Sequence, residues 1–322
     1  MQTRLWPHEM IALMKTFTRE SIHTHCVGAD WPDFLGSVEI GEPFVIETER
    51  FNLANGPIAV NGVKAGDALA VHVEQVDILP PYYAPNGGPF FEGMGDPQSL
   101  ELADGYFYYP RHFRLRAHPS VGNIAVLPES TERMRALVQV DRSGWGWRRA
   151  VNDPRGKHCH QDCAYLGAGA RIHLRSQVDG AGICAADVHA YLCHGEVAFA
   201  GIEVNANLRL RVERSTGWLV DWPLIETEDE IMLFCSDTNL LSGGPSQQYV
   251  DVVRAAYRAM RAVVAARIQG TLAEANPIVA TALDIRNCAI YGLGNYVQKE
   301  GKIDVIDQDI AIVACLPKDV FI

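Results

Sequence analysis

Up to about residue 220 the chain is dominated by strict alternation of apolar and polar positions. After Gly41 it reads Glu42-Pro43-Phe44-Val45-Ile46-Glu47. After Gly66, residues 67–74 place Leu69, Val71 and Val73 on one face. After Gly169, Ile172 and Leu174 alternate with Arg171, His173 and Arg175. A period of two with one polar face is the pattern of an antiparallel strand packed on one side. Three such units behind glycine turns, separated by Gly- and Pro-bearing loops, predict a mainly β region over residues 1–220, a β-sandwich or jelly roll. Residues 80–104 open with Pro80-Pro81-Tyr82-Tyr83 and read as a long Gly/Pro/aromatic loop. It is either functional or a packed surface crossover.

The period then changes. Val253, Tyr257, Met260 and Val264 recur at spacings of three and four, predicting an amphipathic helix over residues 248–268. Thr271-Leu272-Ala273-Glu274 has the capping-box pattern, and Asn276-Pro277 offers a second helix start. Strands are expected around residues 288–291 and 310–316. A smaller α+β module over residues 221–322 follows, with a soft boundary and a last strand that can return to the first sheet.

Composition narrows the function classes. In 322 residues, 28 Lys and Arg face 39 Asp and Glu, a formal charge of −11. A chain this acidic gains nothing by releasing counterions from phosphates, which argues against nucleic acid and anionic membranes as partners. No apolar run approaches the ~20 residues of a membrane span. Arg4, His8, Glu9, Lys15, Arg19 and Glu20 interrupt the N-terminal stretch, leaving no signal-peptide core. The eight cysteines, several beside histidines, read as free thiols, so a cytoplasmic location is expected. At this size a homo-oligomer is the expected assembly.

Ligand-type side chains are densest in His158-Cys159-His160-Gln161-Asp162-Cys163. Imidazole, thiolate and carboxylate are the usual zinc ligands, and in an extended segment His158, His160 and Asp162 share a side. The spacing fits no standard zinc signature, and a polar loop bonded to its own backbone would also have this composition. Asp187-Val188-His189, then His194-Gly195-Glu196 and Glu203, form a second group, which also reads as a solvated hairpin tip. His23-Thr24-His25 ranks third. Cys159, Cys163, Cys184 and Cys193 lie near histidines and could serve as nucleophiles, although Cys184 sits in an apolar run that suits burial. No nucleophile elbow, Walker loop or dinucleotide fingerprint occurs.

Four stretches resemble the acetamidase/formamidase family. Gly56-Pro57-Ile58-Ala59-Val60, running on to Gly66-Asp67, is similar to the family's "GPIYVEGAEPGD", and Pro119-Ser120-Val121-Gly122-Asn123-Ile124 is similar to "PGVIGVAP". Asp187-Val188-His189, Gly195-Glu196-Val197 and Gly201-Ile202-Glu203 together resemble "GDxHxxxGxGEVxGxAIE". Leu316-Pro317-Lys318-Asp319-Val320-Phe321 resembles the closing "LPKxxF". The resemblance implies hydrolysis of a short aliphatic amide to carboxylate and ammonia, on a β-sandwich with an α+β part. One stretch departs: where the family has "GGNxD", this chain keeps Asp162 but carries His158, Cys159 and His160. Added side chains there narrow a pocket and supply ligands.

The expectation is therefore a metal-assisted amidohydrolase. His160, Asp162, Asp187 and His189 are the candidate ligands, zinc the candidate ion, Glu196 the candidate general base and proton donor, and Glu203 the residue that orients its neighbours. Two alternatives stand beside it: a cysteine amidase using Cys159 with His158 or His160 as base, and a non-catalytic jelly roll that binds a small molecule or metal.

Overall fold

The structure is a computed structural model and describes residues 14–21, 33–50, 55–85, 98–130, 161–196, 201–236, 249–289, 296–299, 302–305 and 311–321. In chain order the strands are β1 Lys15–Phe17, β2 Ser37–Val38, β3 Pro43–Thr48, β4 Asn55–Val60, β5 Ala68–Leu79, β6 Tyr82–Ala84, β7 Gln98–Ala103, β8 Tyr106–Tyr109, β9 Phe113–Arg116, β10 Ser120–Ala125, β11 Arg171–Arg175, β12 Ala181–His189, β13 Asn205–Arg214, β14 Leu224–Glu226 and β15 Glu230–Ser236. Helices α1 Tyr249–Arg267 and α2 Leu272–Ala282 follow, then β16 Asp284–Ala289, β17 Tyr296–Lys299, β18 Lys302–Val305 and β19 Ala311–Pro317.

Nine strands form one sheet in the order β1-β3-β13-β5-β11-β14-β15-β19-β16, and four form a second in the order β10-β12-β4-β2. A core between them joins Phe44, Ile46, Leu69, Val71, Ile172, Leu208 and Leu210 of the large sheet to Ile58, Val60, Val121, Ile124 and Ile183 of the small one. This is the expected sandwich, and all three glycine-turn units become its strands β3, β5 and β11. On β13 the alternation leaves Arg209 and Arg211 outside, where their Nε atoms donate to Glu74 at 2.8 and 2.7 Å.

Toward its β16 end the large sheet is covered on both faces. Met232 and Phe234 of β15 join the sandwich core, whereas Ile231, Leu233 and Cys235 pack under the helices. β19 divides likewise, with Val313 and Cys315 on one side and Ile312, Ala314 and Leu316 on the other. Two buried faces explain why these strands read as unbroken apolar runs.

The face α1 presents to the sheet is turned slightly from the stripe read in the sequence. Val252, Ala256, Met260, Val263 and Val264 are buried. Tyr257 instead reaches α2, donating its hydroxyl to Asn276 Oδ1 at 2.9 Å. The α2 start is the capping box: Glu274 N donates to Thr271 Oγ1 at 3.2 Å, and Thr271 N to Glu274 Oε2 at 2.7 Å, with Pro277 inside the helix. Residues 80–104 depart from the expected loop. Their described parts include β6 and the whole of β7, which pair with each other and continue through β8 and β9 as a small antiparallel sheet. Pro and Gly suppressed the strand reading, although Tyr82-Tyr83 and Leu100 have strand character. No described helix is long and apolar enough to cross a membrane.

Candidate metal centre

The site grows from one end of the β10–β12 pair. In its register Ser120 lies opposite His189, Val121 opposite Val188 and Asn123 opposite Ala186. Gly122 therefore falls across from Asp187, and its missing side chain makes room for the site. A β-carbon there would lie 2.6 Å from Asp162 Oδ1, 2.8 Å from Asp187 Oδ2 and 2.7 Å from the Asp187 carbonyl oxygen.

Asp162 reaches this point through its neighbour. Gln161 clamps the backbone of Ile124, accepting from its N–H at 3.0 Å and donating to its carbonyl at 3.2 Å. The amides of Gln161 and Asp162 both donate to the Gly122 carbonyl at 3.0 Å. Segment 161–163 thus runs as an appendage of β10 and carries Asp162 over Gly122. Asp162 adopts φ of 36°, so the extended geometry expected for that segment does not extend to it. His158, Cys159 and His160, like His23 and His25, lie outside the described residues.

Asp162, Asp187 and His189 bring ligand atoms within 4.8 Å of one another, and His189, Glu196 and Glu203 do the same. His189 belongs to both groups, so five residues form one cluster. His189 Nε2 stands 2.9 Å from Glu203 Oε1 and 4.0 Å from Glu196 Oε1. The imidazole is fully buried, and Asp162 and Asp187 are 4% exposed. Gly201 gives the ring its space, since a β-carbon there would lie 2.7 Å from His189 Cδ2. Glu196 sits at a turn in which its N–H donates to the Cys193 carbonyl at 3.2 Å.

Four carboxylates around one imidazole, out of water, leave a charge that solvent does not compensate. Burial pushes the Glu196 carboxyl well above its usual range, and Asp162 adds to the rise. Burial raises Glu203 as well, against the pull of His189. For His189 burial works downward, but Glu203 and Asp187 outweigh it and hold the imidazole well above its ordinary value. Without a cation this cluster takes up protons.

A divalent ion fits that demand, and a second observation agrees. His189 Nδ1, Glu203 Oε2, Ser120 Oγ and both amide atoms of Asn123 are buried with no hydrogen-bond partner among the described residues. Such a concentration of polar atoms missing a partner calls for a ligand. Cysteines offer less: Cys163 and Cys184 are buried, Cys184 donating to the Gly182 carbonyl at 3.7 Å, and Cys193 is exposed. In the sequence, Ser120, Gly122 and Asn123 stand only as members of the second family-like stretch, and Gln161 only as a member of the His158–Cys163 run; none is singled out there for a role at the site.

The structure defines the protein as a β-sandwich with a carboxylate–imidazole cluster at one end of its β10–β12 pair. The acetamidase/formamidase family profile matches residues 98–266, more than half of the chain, and the protein belongs to that family. Three solved structures share the fold at a TM-score of 0.70. Acetamidase from Bacillus halodurans is 17% identical, over 95% of this chain and 98% of its own. Acetamidase from Yersinia enterocolitica is 18% identical, over 96% and 93%. A predicted acetamidase/formamidase from Thermoanaerobacter tengcongensis is 18% identical, over 95% and 97%. A comparison with curated proteins gives no match.

Proposed function

We propose that the protein is an amidohydrolase, cleaving a carboxamide to carboxylate and ammonia at the Asp162–Asp187–His189–Glu196–Glu203 cluster. The observation that carries this reading is the cluster itself, four buried ionisable groups and the partly buried Glu196, with excess negative charge, in a chain of this family. Asp162, Asp187 and His189 would hold a divalent ion, with zinc as the ion proposed; His160 is the further ligand expected from the sequence. When bound, the ion supplies a water acidified to near-neutral pKa and a Lewis acid for the amide oxygen.

The chain's own groups do the rest. Glu203, at an ion-pair distance of 2.9 Å from His189 Nε2, is assigned to hold the imidazole, and Nδ1 has no protein partner among the described residues. Glu196 is assigned to take the proton from the attacking water and pass it to the departing nitrogen. Its environment favours the protonated carboxyl, which suits the donor half of that cycle. Gln161 and Gly122 position Asp162.

Elemental analysis paired with ammonia release from an amide panel, before and after chelation, tests the reading. Stoichiometric metal and chelation-sensitive ammonia release, restored by zinc, are expected. Manganese restoring activity where zinc does not would reassign the ion, consistent with the oxygen-rich donor set. Ammonia release from verified metal-free protein would remove the metal role and turn attention to C159S.

A further inference from the structure

Beside the cluster lies a cavity of about 920 Å³. Its walls continue the segments that build the site. His118-Pro119 runs into Ser120, Ala164-Tyr165 follows Asp162-Cys163, and residues 191–194 link His189 to Glu196. His118 and Tyr191 form a bridge just beyond the Ser120–His189 pair, at the end where the cluster sits. Proximity also shows at Gly201, whose β-carbon position lies 2.5 Å from the Tyr191 carbonyl oxygen and 2.7 Å from the His189 ring. The lining residues are neighbours of the cluster along three segments rather than its members, and the part of a substrate remote from its amide is assigned below to this space.

The size and the lining are informative. Cavities of roughly 300–1,000 Å³ hold drug-sized ligands, and a one- or two-carbon amide would leave this one largely empty. Flat rings stand on two walls. His194 stacks on Tyr165 with centroids 4.7 Å apart and planes inclined by 28°. Tyr165 is itself held by the Arg286 guanidinium, 5.1 Å from its centroid. Glu230 in turn fixes Arg286 through two hydrogen bonds of 2.8 and 2.6 Å. Tyr191 and His118 offer rings from the neighbouring bridge. A ring-bearing wall braced at Tyr165 by Arg286 and Glu230 suits a planar ring better than a flexible alkyl chain, because stacking needs a defined geometry.

We infer that this cavity binds the ring of an aromatic carboxamide and so directs the enzyme toward aromatic amides over formamide and acetamide. The inference rests on the amidase reading and names its substrate class. Two measurements on the metal-loaded full-length protein test it: kcat/KM for acetamide, hexanamide, benzamide and 1-naphthamide, and calorimetric binding of 1-naphthamide. The critical variant is A168W, since Ala168 is an exposed residue of the lining and a larger side chain there fills space without entering the core.

At least a tenfold preference for the aromatic amides over acetamide is expected. A168W should cut both that preference and 1-naphthamide affinity at least tenfold. H194A, which removes one stacking ring without adding bulk, replaces A168W if that variant does not fold. Acetamide or hexanamide preferred to both aromatic amides would overturn the inference, as would variants that leave preference and affinity unchanged. Ammonia from none of the amides would instead remove the amidase reading; 1-naphthamide binding that the variants weaken would then still support the cavity, and its absence would end it.

Discussion

Gly122→Ala is the sharpest perturbation of the site that leaves every candidate ligand in place. Gly122 does not use a backbone conformation reserved for glycine, so alanine introduces no dihedral strain and the effect is steric. The added methyl would lie 2.6 Å from Asp162 Oδ1, 2.7 Å from the Asp187 carbonyl oxygen and 2.8 Å from Asp187 Oδ2. These separations are roughly 0.5–1 Å inside ordinary van der Waals contact, where repulsion rises steeply. Because one of the three atoms belongs to the backbone of β12, side-chain rotation alone does not relieve the clash. Overpacking of this kind costs about 1–3 kcal/mol. Displacing the aspartates by several tenths of an ångström is larger in its functional effect, since a misplacement of ~1 Å costs about 100-fold in rate.

The assay has two arms, the urea midpoint of the metal-free protein and zinc affinity by competition with a chromophoric chelator. G122A should lower stability by about 1–3 kcal/mol and zinc affinity by about 10–100-fold, as disturbed ligand supports generally do. A double-mutant cycle with D162A sharpens it. With the carboxylate removed, part of the clash goes, so the two changes should couple by about 0.5–3 kcal/mol. G122A binding zinc within twofold of the unmodified protein, with no coupling to D162A, would show that the two aspartates do not converge on this point.

Three further outcomes are expected. Gln161→Ala removes both hydrogen bonds to the Ile124 backbone and leaves those groups buried, so denaturation should show a loss of about 2–4 kcal/mol. Glu226 gives a pH dependence: burial pushes its carboxyl up, but hydrogen bonds from His173 and Lys318, with the charges of Lys318 and Arg171, hold it down at about 2. The folded state therefore binds fewer protons here than the unfolded state between pH 2 and the ordinary 4.5, so this stability is present above pH 4.5 and lost as pH falls toward 2. Urea midpoints of E226Q from pH 6 to 3 should fall less than those of the unmodified protein, and parallel curves would refute the assignment. Thr271→Ala dismantles the α2 capping box and should destabilise by ~1 kcal/mol, visible as a lowered Tm.

What the sequence showed and what it hid follow from how far each feature depends on local pattern. Leu69, Val71 and Val73 declare their strand because one buried face imposes a period of two. Thr271 and Glu274 declare their cap because both partners lie within one turn. Ile231 through Cys235 hide their architecture: buried on both faces, they show no period, and only the assembled sheet reveals that Met232 and Phe234 face away from Ile231 and Leu233. Asp187, His189, Glu196 and Glu203 are legible as ligand-type residues. Their convergence with Asp162 is not, because it depends on the Gln161–Ile124 clamp between segments 37 residues apart.

Backbone conformation adds a point that no periodicity contains. Seven non-glycine residues among those described adopt positive φ, and three of them, Asp162, Asp187 and Glu196, belong to the five-residue cluster. Aspartate tolerates the left-handed region better than most residues, but glutamate does not. Conformations of this kind cost of order 1–3 kcal/mol each and persist where the surroundings over-determine them. Here the determinants are on hand: the Gly122 carbonyl accepting from both 161 and 162, the β10–β12 register across from Asp187, and the Cys193–Glu196 turn. A run of regular strand would send Asp187 and Glu196 along the alternating directions of their neighbours. The departures instead gather three carboxylates about one imidazole, an arrangement that is unfavourable on its own and becomes favourable with a cation among them.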